Sequence, residues 1–121
     1  MNRRRLEKMS EEIRREISGI LSEQVKDPRL DMVSVTRVDV SNDLGSARIM
    51  VSVLGDEQKQ EQAMQALEKG RGFIRAELSS RIRLRHVPEI SFRLDKSIEH
   101  GMKIAAILDE LNDRSGHIDK D

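Results

Sequence analysis

A chain of 121 residues is long enough to bury one core and too short for two, so a single domain over residues 1–111 is expected, followed by a flexible polar tail over 112–121. Basic and acidic residues number 22 each, so any affinity for nucleic acid has to come from how charge is distributed rather than from its total. The lack of cysteine excludes disulfides and thiolate metal sites, and no stretch approaches the length of an apolar membrane span, so a cytoplasmic protein is expected.

In chain order, Leu6, Met9, Ile13, Ile17, Ile20 and Leu21 recur by threes and fours, which predicts a long helix from Arg3 to about Val25. Pro28 stops it, and Asp27-Pro28-Arg29 reads as a turn. The β-branched run over 32–41 changes phase between Val33/Val35 and Val38/Val40, which predicts a bulge near Thr36 and Arg37. Turn chemistry over Ser41 to Gly45 then joins it to a second alternating strand carrying Ala47, Ile49, Val51 and Val53, an antiparallel hairpin. A helix from Glu57 to Lys69 is expected to end at Gly70 as at a C-terminal glycine, and a further helix to follow directly. Ile90, Phe92 and Leu94 alternate in a third strand. Asp95 or Ser97 is positioned to cap a last helix containing Ile98, Met102, Ile104, Ile107, Leu108 and Leu111. Met50, Met64 and Met102 read as core filler. The order α-β-β-α-α-β plus a C-terminal helix gives an α+β fold, a three-stranded sheet packed on helices in the type II KH-like topology.

Charge concentrates between Lys69 and Pro88, where six basic residues (Lys69, Arg71, Arg75, Arg81, Arg83 and Arg85) face one acid, Glu77. Arg71, Arg75, Ser79 and Arg83 form a stripe beside the apolar stripe of Ile74, Leu78 and Ile82. Backbone amides freed at Gly70 and Gly72, with the arginines alongside, would meet RNA phosphates; the competing reading is a solvated face trimmed by a Glu77–Arg81 pair. Arg3, Arg4 and Arg5 are unfavourable beside the helix dipole's positive end, and form a second basic candidate. Phe73 and Phe92 are the sole aromatics, too few for base-stacking platforms. His86, His100 and His117 lack ligand partners at metal spacing, and although Asp95, Glu99 and His100 could form an acid–base set, a helix start explains Asp95 and Glu99 more simply, so no metal, cofactor or enzymatic activity is expected.

Five segments carry a family resemblance in order: DPRL at 27–30, VSVTRVDVSNDLGSARIMVSVLG at 33–55, GFIRAEL at 72–78, LRHVPEISF at 84–92 and DKSIEHGMKI at 95–104. The chain resembles bacterial ribosome-binding factor A. The resemblance implies a monomeric KH-like assembly factor that binds the immature 30S subunit and its 16S ribosomal RNA. It would assist late maturation and 5′-end processing and matter for cold adaptation. Where that family shows an Ala-x-Gly kink between two central helices, this chain has Gly70-Arg71-Gly72. The alternative is a generic KH-type binder of single-stranded RNA or DNA, which oligonucleotide titration would separate.

Overall fold

The computed structural model describes residues 3–84 and 86–97. The expected last helix, the polar tail, Met102, Glu99, His100, His117 and Arg85 fall outside them.

Helix α1 spans Arg3–Glu23 and buries Ile13, Ile17, Ile20 and Leu21, the stripe that three-and-four spacing predicts. A 3₁₀ turn over Pro28–Leu30 comes next, capped by Asp27, whose carboxylate accepts from the Arg29 amide at 3.0 Å. Strand β1, Val33–Val40, pairs antiparallel with β2, Ser46–Val53, and the register shifts between Val35 and Arg37. That bulge is where the phase of the valines breaks: the extra residue lets both Val35 and Val38, three apart, point to the core. In the connecting turn Asp43 accepts from the Gly45 amide at 2.9 Å, while Leu44 takes φ 61°.

Helix α2 runs unbroken over Glu57–Arg81, capped by Asp56 through the Lys59 amide at 2.9 Å. The expected division at Gly70 is therefore corrected: one helix stands where two short ones were anticipated. The reason lies in its buried stripe, Ala63, Ala66, Leu67, Ile74 and Leu78, which keeps helical spacing straight across the glycines. Packing along 25 residues outweighs two interior glycines, each costing about 1 kcal/mol relative to alanine. The extended Ile82 ends the helix and is itself buried.

Strand β3, Glu89–Leu94, lies parallel to β2, giving the sheet order β1-β2-β3. A parallel neighbour needs a crossover connection, and α2 supplies it. Both helices pack against one face of the sheet and against each other, closing over Ala47, Ile49, Val51, Val53, Ile90 and Phe92. The result is the α+β, KH-like arrangement expected from the element order, with β2 central. Met64 packs against this core. Met50 does not: it alternates with the buried Ile49 and Val51 and sits half-buried on the opposite face of the sheet.

Candidate nucleic-acid interface

Building the basic segment from its backbone upward separates residues that a linear reading groups together. Because α2 is continuous, successive positions rotate by about 100°, so Arg71 and Arg75, four apart, share one side of it, while Lys69 and Arg81 leave in other directions. Amides around Gly70 and Gly72 belong to the helical ladder, so the expected phosphate cradle of freed amides at a helix break is not formed.

Arg71 projects into solvent and pairs with Glu68 at 3.2 Å, an exposed contact worth little that an RNA phosphate could displace. Arg75 has a different occupation. Its Nε donates to the Pro88 carbonyl at 3.1 Å and its Nη2 to the Val87 carbonyl at 2.8 Å, with Glu89 Oε1 at 3.4 Å. Arg75 thereby ties the segment before β3 onto α2, and between them lies a cleft of about 390 Å³ lined by Gly72, Arg75, Ala76, Ser79, Leu84, His86 and Val87. At Gly72, which lines it, the backbone faces open space: a Cβ there would meet nothing within 4 Å. Arg83, beyond the helix end, is exposed.

Arg81 turns the other way. Its guanidinium lies 3.9 Å from both Glu16 and Glu23 of α1, which replaces the Glu77 pairing expected from i, i+4 spacing. Lys69 lies toward the Asp27 turn. There the Arg29 side chain, then the Arg29 amide, and more weakly the charge of Lys69, lower the Asp27 carboxyl to about 2. At the start of α1, Arg3 pairs with Glu7 at 3.2 Å, while Arg4 and Arg5 are exposed. The sequence candidates thus fall into an exposed set next in the chain to the cleft's lining (Arg71, before Gly72, and Arg83, before Leu84), two arginines occupied in packing (Arg75, Arg81), a flanking Lys69, and the separate end of α1. Gly70 lies inside α2, half-buried against Ile74.

One group that sequence reading treated as a simple cap does more. The Asp95 carboxylate accepts from the Ser97 amide at 3.0 Å and from the Ser97 hydroxyl, and its other oxygen accepts from Thr36 Oγ1 at 2.6 Å. It is buried, and the Ser97 hydroxyl foremost, then Thr36 and the Ser97 amide, hold it at about 2, well below the usual 3.8. Thr36 sits in the β1 bulge, its hydroxyl also 3.2 Å from the Met50 carbonyl oxygen, so the end of β3 is latched to the bulge across β2. A proton-shuttling role for Asp95 is thereby disfavoured: its acceptor capacity is spent on structure. Among the described residues no three His, Cys, Asp or Glu side chains are grouped to hold a metal ion, and no helix is long and apolar enough to cross a membrane.

Comparison with known proteins places this architecture. The sequence profile of the family described as ribosome-binding factor A matches residues 5–108. A ribosome-binding factor A of Syntrophomonas wolfei subsp. wolfei is 48% identical over 117 residues, 95% of this chain and 96% of that protein. Among solved structures, a Thermotoga maritima protein determined by solution NMR superimposes with a TM-score of 0.66 at 34% identity, over 76% of this chain and 88% of that one. A Thermus thermophilus ribosome-binding factor A homology model, fitted into a cryo-electron-microscopy map of a 30S complex, gives 0.62 at 25% identity, over 72% and 91%. With that profile spanning residues 5–108 and a relative close to half identical over nearly its whole length, the chain belongs to the ribosome-binding factor A family.

Proposed function

We propose that this protein is a ribosome assembly factor that binds the immature 30S subunit through 16S ribosomal RNA. In this reading it assists late maturation and 5′-end processing, acts in the cytoplasm as a monomer, and matters most in the cold. The observation that carries the reading is the family match, which covers nearly the whole of this chain and of its relative at close to half identity. Binding rather than catalysis suits the described residues, because the carboxylates with shifted proton affinity are all lowered by structural hydrogen bonds or ion pairs and none is raised toward a general acid.

RNA contact is assigned to the outward basic set. Arg71 and Arg83, beside the cleft at Gly72, would meet phosphates directly; Arg75 would position the rim; Arg85, Lys69 and the Arg3–Arg5 end would extend the positive field, and Arg81 would contribute charge from behind. Cells depleted of their own factor and supplied with this chain are expected to regain mature 16S 5′ ends and growth at low temperature. Persisting precursor ends, with the protein expressed and folded, would overturn the reading.

A further inference from the structure

The face of the sheet turned away from both helices carries a second group of arginines. Alternation from the buried residues places Arg37 and Asp39 of β1, Arg48, Met50 and Ser52 of β2, and Ser91 and Arg93 of β3 on that face. Register assembles the arginines: Arg37 and Arg93 both lie directly opposite Met50, one on each neighbouring strand, and Arg48 is two residues back along β2, opposite Ser91. With strands about 4.8 Å apart and about 3.4 Å of rise per residue, the three bases leave the sheet from points some 7–10 Å apart. Such a spread suits a strand of phosphates better than one bound ion.

The acids on this face are already engaged. Asp39, opposite Arg48 in the register, is held by Arg37 at 3.3 Å, Glu89 reaches Arg75 at 3.4 Å, and Asp95, at the end of β3, accepts from Thr36 and Ser97. Arg48 and Arg93 are exposed and pair with no carboxylate among the described residues. Arginines kept without a carboxylate on a flat sheet repel one another, a cost that an anion removes. Serine hydroxyls at Ser52 and Ser91 add donors of the kind that bind phosphate oxygens.

We propose that this outer sheet face, centred on Arg48 and Arg93, is a second RNA-backbone contact, so that the domain sits between two RNA segments, one against the α2 cleft and one against the sheet. The inference rests on the RNA-binding reading above. Its test is the salt dependence of binding to purified immature 30S particles, measured for wild type, for R71Q/R83Q and for R48Q/R93Q. Each neutralised phosphate contact contributes roughly 0.7–0.9 to the slope of log K against log salt. Both pairs are expected to flatten the slope by about 1.4–1.8 units, with melts like wild type. A wild-type slope for R48Q/R93Q, with a flattened one for R71Q/R83Q, overturns the second contact and leaves the first standing. Weaker binding by R48Q/R93Q at an unchanged slope also overturns it, since the face would then dock a protein. Failure of wild type to bind overturns both. If the double variant melts lower, R48Q and R93Q are read singly, each expected to flatten the slope by about one.

Discussion

Asp95 shows how much of the fold can hang on one carboxylate. Because its pKa in the folded protein lies near 2, below the 3.8 of an unperturbed group, its contribution to stability is fully present above about pH 4 and is lost as pH falls through 2. Asp27, also near 2, adds a smaller effect of the same sign from a more exposed position. Asp95→Ala should cost about 1–3 kcal/mol at pH 7, since it leaves the Thr36 and Ser97 donors without their acceptor. Denaturant unfolding from pH 7 to 2.5 should show the variant's deficit shrinking as wild type approaches it. A constant deficit would mean that packing, not the charged hydrogen bonds, sets the loss. Two glycines give opposite expectations. Gly70→Ala should raise stability by roughly 0.5–1 kcal/mol, because the position is helical and the new Cβ would lie 3.7 Å from Ile74 Cδ1, an ordinary contact. Gly55→Ala should lower it by about 1 kcal/mol or more, because φ there is 134° and the Cβ would press to 2.9 Å from Lys59 Cδ. Thermal melts of the two variants read both signs.

Elements were legible in the sequence wherever period and punctuation agreed. The valine phase break at Thr36 located a bulge because a strand's two faces admit no slip of one residue without an insertion. Asp27-Pro28 located a turn because proline restricts its predecessor and the aspartate caps the short 3₁₀ turn that proline begins. Gly70 misled because its local signal is that of a helix end, while the apolar stripe from Ala63 to Leu78 carries the opposite message over a longer range. The stripe prevailed through burial, which local chemistry does not register. The site was legible in part: the density of charge was visible, but the direction of each side chain was not. Arg75 and Arg81 look equivalent to Arg71 in a linear reading, yet their partners, Val87, Pro88, Glu16 and Glu23, come from other elements. Arg75→Ala should therefore cost on the order of 1 kcal/mol and loosen the segment before β3, visible as faster amide hydrogen exchange at Glu89 and Ile90. Arg71→Ala should leave both melt and exchange unchanged, its single ion pair being exposed.

At the scale of the whole molecule, zero net charge is resolved into local fields: among the described residues acids such as Asp39, Glu68 and Glu89 pair with arginines, while Arg48, Arg83 and Arg93 stand exposed. A protein built this way gains little from long-range attraction and has to bind by short-range phosphate contacts, each releasing counterions. Its affinity for an RNA particle is then a function of salt more than of net charge. Reversing Arg71 and Arg83 to glutamate should leave folding intact and lower affinity for immature 30S particles by at least tenfold at about 100 mM salt, since four units of charge change sign on the proposed RNA-binding surface. The most direct measurement is the equilibrium affinity of the wild-type chain for purified immature 30S particles between about 50 and 200 mM monovalent salt. A linear fall of log K with log salt, steep enough for four or more neutralised phosphates (a slope of about −3 or beyond), is the expected result; absence of binding, or an affinity unchanged across that range, would contradict it.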